Sequence, residues 1–329
     1  MFTPVHTSLG ALMLYQSSSG LLLHNGSVFG VSSLLSGFML NPSRDNVPII
    51  TGLLSSVVPI YLFVPSLLPR YPAPPSSWAS LLSTVGTGFL LGWGTKSGRG
   101  CTSGHMLCGV SRLSPRSLIA TAIFFTTALL TANFVSSIPA CPAGTPCYTS
   151  VYPSHSELTF MLGTTVLTFL TNALIIPRTV GRSELSRAVF SYLAGLQFGT
   201  GLFMSGMADP HKVLRFFAFL TDPARFDPSL ALVILFGVLP SLITYLLVKP
   251  GQDTNHTGGK PVKPTLGDTW RLPTATVADI DSQFVLGAMV FGVAWGLQGV
   301  CPGPAVLRSV LQPVWGLAEM AGYLLGSSI

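Results

Sequence analysis

The segment GWGTKSGRGCTSGH at residues 92–105 is echoed by GVAWGLQGVCPGP at residues 292–304. Each is an apolar run that breaks into glycines at about the depth where a membrane helix would be half-way across. Each also sets a cysteine, Cys101 or Cys301, nine residues after a glycine and just ahead of a new helical stretch. Two further segments, GLLLHNGSVFGVSS at 20–33 and GLQFGTGLFMSGMADP at 195–210, break in the same way without a cysteine. Glycine-broken hydrophobic segments at matching positions of two halves are a sequence mark of a transporter's substrate site.

Composition agrees. The 329-residue chain is 48% hydrophobic and 9% charged, with mean hydropathy +0.59, whereas soluble domains carry about 25% charged residues. Its 34 Gly and 26 Pro lie mostly inside apolar runs, as in interrupted membrane helices whose freed backbone groups are satisfied by protein neighbours. The opening residues lack a basic stretch followed by a cleavage site, so no removable signal peptide is expected. The net charge of +6 comes without a basic run interleaved with aromatics, which argues against nucleic acid. The five cysteines form no metal pattern, and no GxxxxGK[ST] loop is present, so no cofactor, metal or nucleotide is expected.

The reading is an all-α integral membrane protein. Uncharged stretches of about twenty residues fall near Val47–Leu68, Ser117–Ile138, Leu158–Pro177, Ala188–Met207 and Pro228–Val248, with a sixth at Ser282–Leu307 that carries the fourth break. Ser8–Leu23, Trp78–Thr95 and Ser309–Ile329 bring the expected spans to nine. Val28–Met39, Cys101–Ser111, Asp209–Phe219 and Pro302–Leu311 are too short to cross and read as re-entrant half-helices. Arg178–Arg187 and Lys249–Arg271 are the basic connections and should be cytoplasmic. Alternation then places the N-terminus outside, the C-terminus inside, and twelve of the seventeen Lys/Arg on the inner side. In this topology residues 1–156 form one repeat with its half-helices on the cytoplasmic side, 157–177 a connecting span, and 178–329 the same unit inverted. Gly20 and Gly26 align with Gly195 and Gly201, and Gly92 and Cys101 with Gly292 and Cys301. The hydrophilic linker 250–273, with its Asn255-His256-Thr257 sequon, is expected to be a mobile cytoplasmic loop.

Half-helix N-termini carry partial positive charge and favour an anion. Gly100 and Gly299 let the backbone approach it closely, with Thr102 beside the first thiol. A thiol is a soft, weak donor suited to a terminal sulfur atom. Lys96 and Arg99 read either as interfacial anchors or as a positive cytoplasmic mouth, and Gln197 and Gln298 either as oxyanion donors or as helix–helix glue. Cys108, two helical turns past Cys101, is a core residue or a relay. Asp209 is expected to cap the third half-helix, and Glu319 to pair with a basic residue such as Arg308. Cys141 and Cys147 read as a loop-stapling disulfide on the outer side; a redox-active pair is the alternative, which would make the protein a membrane thiol oxidoreductase or sulfurtransferase. A channel for another small anion is the remaining rival.

Taken together, GRGCTSGHMLCGVSRLSPRS, GLQFGTGLFMSGMADPHKVLRFF and FGVAWGLQGVCPGPAV resemble the YeeE/YedE family of sulfur-transport membrane proteins over nearly the whole chain. The resemblance implies an hourglass-shaped inverted repeat of nine spans and four half-helices. It also implies uptake of thiosulfate, or a related small sulfur anion, across the cell membrane into the cytoplasm. The implied relay passes the terminal sulfur along pore cysteines, which fall here on Cys101 and Cys301, and a cytoplasmic sulfur-carrier protein would be a partner. Family members can carry another cysteine near the first break; this chain offers Ser27, Ser32 and Ser33 there.

Overall fold

In the computed structural model, three helices among the described residues are long and apolar enough to cross a bilayer: Pro115–Phe134, His155–Thr179 and Pro228–Val248. Ser282–Gln298 and Pro302–Leu311 form a further apolar pair bent by 40°. The structure describes residues 1–71, 77–141, 144–251 and 263–329. Among them the chain is built from helices: α1 (Pro4–Asn25), α2 (Val31–Leu40), α3 (Val47–Phe63, jointed at Ser56), α4 (Trp78–Ser97), α5 (Thr102–Gly109, wound as a π-helix), α6 (Pro115–Phe134) and α7 (His155–Thr179). They continue as α8 (Glu184–Ser205), α9 (Pro210–Phe217), α10 (Pro228–Val248), α11 (Ser282–Gln298), α12 (Pro302–Leu311) and α13 (Pro313–Ser328).

Side-chain chemistry explains which helices lie inside. The outer faces of α7 and α10 expose Leu162, Val166, Leu167, Phe169, Ile234, Leu235, Ile243 and Leu247. So large an apolar exterior suits acyl chains, not water. The inner helices α1, α4, α8 and α11 are rich in small residues and pack backbone to backbone. On α4 and α13 the Gly88/Gly92 and Gly322/Gly326 pairs face one another. A Cβ at any of the four would stand 2.0–2.2 Å from a carbonyl oxygen of the opposite helix. This is the small-xxx-small contact of membrane helices, where dispersion between close backbones replaces the hydrophobic effect.

The packing list has a pattern. α1 lies against α8 and α4 against α11; around them α10 leans on α1, α3 on α8, α13 on α4 and α6 on α11. Caps set the ends. Ser77, Ser114, Ser154, Ser183 and Asp281 each accept a first-turn N–H, and α1, α8 and α11 stop at left-handed Gly26, Gly206 and Gly299. α1 and α8 are both 22 residues long and both end in a left-handed glycine, Gly26 and Gly206, whereas Gly201 lies inside α8.

Loops are tied on both sides. Cys141 and Cys147 form a disulfide, and the Cys147 N–H donates to the Ala224 carbonyl at 2.7 Å. Arg271 grips Asp45 with two hydrogen bonds of 2.6 and 3.0 Å, which holds the carboxyl below its usual range. The sequon at Asn255 lies outside the described residues. The last part of that linker is not loose: Thr265, Leu266, Gly267 and Arg271 donate backbone N–H groups to Leu23, His24 and Gly26 at the end of α1.

Candidate functional site

The four breaks meet. Val31 opens α2, Cys101 to Ser103 open α5, Met207 precedes α9, and Cys301, Gly303 and Pro304 open α12. All of these line one cavity of about 20 Å³. Phe198, Leu202 and Leu14 complete a largely apolar wall. This waist separates two wide vestibules. The larger, about 460 Å³, is lined by Arg99, Arg112, Arg116 and Arg271. The other, about 390 Å³, is lined by Arg70, His211, Lys212 and Arg215. Gly30 and Gly104 of the first vestibule adjoin Val31 and Ser103 of the waist; Gly206 and Ala208 of the second flank Met207.

Backbone geometry puts the thiols there. Cys101 and Cys301 are both the extended residue immediately before a helix, and their carbonyls accept the N–H groups of His105 and Ala305 at 2.9 and 3.0 Å. The N–H groups of Thr102, Ser103 and Gly104, and that of Gly303 between two prolines, lie in the first turns and have no intrahelical acceptor. Cys101 is 1% exposed, with its sulfur 3.2 Å from the Ser103 hydroxyl. That hydroxyl oxygen accepts the Val31 N–H at 3.0 Å and so stitches the first break to the second. Cys301 is 7% exposed, with the Thr102 hydroxyl and the Gly303 amide within hydrogen-bond reach of its sulfur. Both thiols are free. The turn before Cys101 demands glycine: Gly100 has φ 155°, and a Cβ would meet the His105 ring at 2.7 Å.

Of the residues singled out from sequence, Cys101, Thr102 and Cys301 come together at the waist. Gly100 lies behind Cys101 and lines the larger vestibule. Gly299 (φ 67°) is a pure cap whose Cα faces the Pro210 carbonyl, away from the cavity. Cys108 lines a separate small cavity, its sulfur donating to the Phe29 carbonyl at 3.5 Å. Gln197 pairs with Asn172, and Gln298 donates to Thr87, so neither faces the waist. Lys96 and Arg99 are exposed at the rim of a side cavity, where Arg99 pairs with Asp281 at 3.3 Å. Ser27 lines the larger vestibule, its hydroxyl buried and without a hydrogen-bond partner among the described residues. Asp209 caps α9 through the His211 N–H, and Arg308 meets Glu319 at 3.2 Å, both buried. Sequence reasoning missed Ser103, which its place in the CTSG run could have flagged. It also missed Val31, Phe198, Leu202 and Met207, whose residue types are indistinguishable from ordinary core.

An all-helical chain with a lipid-facing exterior and two polar vestibules about a thiol-bearing waist is a multi-pass membrane transporter. Comparison agrees: residues 64–130 match a family described as sulphur transport, and residues 186–312 match a family of unknown function. Two proteins of Xylella fastidiosa, each named a probable transporter, are similar. One, from strain Temecula1, is 37% identical over 131 residues, covering 39% of this chain and 91% of its own length. Another, from strain 9a5c, is 34% identical over 130 residues, covering 39% of this chain and 80% of its own length. The chain belongs to the YeeE/YedE sulphur-transport family. It is a sulfur-related membrane transporter and not an enzyme.

Proposed function

We infer that the protein takes up thiosulfate, or a closely related small sulfur anion, from outside the cell membrane into the cytoplasm. One observation carries the reading: two free thiols, one from each half, line the same apolar waist between two basic vestibules. The vestibules gather an anion, the N–H groups and hydroxyls of the α5 tip hold its oxygens, and the thiols of Cys301 and Cys101 contact its terminal sulfur in turn. Sulfur is soft enough to be held by a thiol and weakly enough held to leave. A cytoplasmic sulfur-carrier protein would then accept the sulfur.

Nine spans, four re-entrant half-helices and an inverted repeat fit the same reading. Exchanging α1 with α8, α3 with α10, α4 with α11 and α6 with α13 maps the main helix contacts onto themselves, as a two-fold repeat requires. A relative that is matched over 91% of its length and spans 39% of this chain favours a fold made of two such units. The positive-inside topology assigns the vestibule of Arg99, Arg112 and Arg271 to the cytoplasm and the Cys141–Cys147 loop to the oxidising side, which suits its disulfide.

The test is uptake of labelled thiosulfate into liposomes, with sulfate, nitrate and formate as competitors. Cys101→Ala and Cys301→Ala should each lose at least about ten-fold in rate while remaining folded in the membrane. A Cys141→Ser/Cys147→Ser double variant should keep transporting. Full activity of both alanine variants sinks the thiol path, and equal competition by nitrate favours a general anion channel.

A further inference from the structure

We propose that the larger vestibule holds a second anion site, built on Arg116 and separate from the waist, that receives a tetrahedral sulfur oxyanion. This deepens the transport reading above and rests on it.

Arg116 is the second residue of α6 and only 7% exposed, yet it lines the 460 Å³ vestibule. One face of its guanidinium lies over the Phe284 ring, 4.8 Å from the centroid. Its Nε and Nη2 atoms are buried and make no hydrogen bond among the described residues. Leaving donors of a buried cation unpaired is costly, because water is lost with nothing in return. Nearby acids do not satisfy it. Asp281 is taken by Arg99 at 3.3 Å and by the Phe284 N–H at 2.7 Å; Asp279 is taken by the Thr276 N–H at 2.6 Å. The one lining carboxylate, Asp45, is gripped by Arg271 and also meets Arg187 at 3.5 Å. Arg112 donates its Nε to the Cys108 carbonyl at 3.1 Å and has no carboxylate partner among the described residues.

Two guanidinium groups therefore line the same cavity with no carboxylate hydrogen-bonded to either among the described residues. A guanidinium presents paired N–H donors that fit the oxygens of a sulfonate or sulfate edge. The site is also wired to the waist. The Ser117 hydroxyl, next to Arg116, bonds His105 Nδ1 at 3.1 Å, and His105 Nε2 donates to the Gly98 carbonyl at 3.0 Å. The same ring abuts Gly100, one residue before Cys101. An anion drawn to Arg116 thus sits against the brace of the second break, where an ion leaving the waist must pass.

Binding is read by calorimetry on the purified full chain with sulfate and with thiosulfate. The Arg116 site should take the two alike, since guanidinium reads oxygens and not the terminal sulfur, while thiosulfate alone should add a second, thiol-dependent binding event at the waist. Arg116→Gln should weaken sulfate at least ten-fold, and Cys101→Ser/Cys301→Ser should leave it unchanged, so the site can stand even if the thiol path falls. If Arg116→Gln does not fold, arginine modification of the wild-type chain by phenylglyoxal replaces it: sulfate should protect the Arg116 peptide by at least three-fold in mass spectrometry. Unchanged affinity in Arg116→Gln, absence of protection, loss of sulfate binding in the thiol variant, or phosphate binding ten-fold tighter than either sulfur anion would each overturn the proposal.

Discussion

The second and fourth breaks do the same geometric job with different materials. At the fourth, Gly299 turns the chain at φ 67° and α12 is a regular helix, opened by Pro302 and Pro304. Proline has no N–H, so Gly303 alone of its first three residues offers a backbone donor. At the second, an arginine takes the left-handed conformation instead (Arg99, φ 54°), Gly100 follows at φ 155°, and α5 is π-wound. There Thr102, Ser103 and Gly104 all keep their N–H groups, and two of them add hydroxyls. The fourth tip is a stiff, apolar seat for a thiol; the second is a polar, strained one. For the proposed cargo the two tips would serve different ends of one anion, the fourth its sulfur and the second its oxygens.

Three substitutions probe that contrast. The largest effect should come from the stiff side. Glu319 (1% exposed) is the partner of Arg308 (4% exposed), whose guanidinium also stacks on Tyr71 and Trp315. Glu319→Ala strands a buried cation and should cost about 3–5 kcal/mol. The readout is thermal unfolding in detergent; an unchanged midpoint would show that α12 does not depend on this pair. Next, Thr102→Val keeps the shape of the polar tip and removes its hydroxyl. A hydrogen bond to a charged group is worth about 1.5–3 kcal/mol, so half-saturation for thiosulfate should rise at least ten-fold with little loss of stability. A purely structural Thr102 would show the reverse. The smallest effect is Arg99→Gly. It relieves about 1–2 kcal/mol of left-handed strain and gives up a half-exposed pair with Asp281 worth about 0.2–1 kcal/mol. The midpoint should rise slightly or stay put, and a clear fall would mean Arg99 holds the break in another way.

Much of this was legible in the sequence, for a physical reason. A helix that stops half-way through apolar surroundings must expose backbone groups, and only glycine, proline or small polar residues manage that. The breaks and the cysteines after them therefore stand out. The roles of single polar residues were harder to read. Gln197 and Gln298 read equally as oxyanion donors or as helix–helix glue, and their bonds to Asn172 and Thr87 favour the second; one-dimensional spacing does not reveal what faces a helix from elsewhere in the chain. Spacing also does not tell a cap from a packing notch: Gly26 is a left-handed cap, whereas Gly201 packs inside α8 against Gly10 and Leu14. The lone donors of Arg116 were invisible for the same reason: pairing is a property of three dimensions.

The size of the waist has an electrical meaning. A space of about 20 Å³ admits about one water molecule, and its walls are mainly hydrocarbon. Such a plug has no continuous water wire and no relay of charged groups, so at rest it insulates like the bilayer around it. On the transport reading proposed above, passage would then require the walls of the waist to part around the anion.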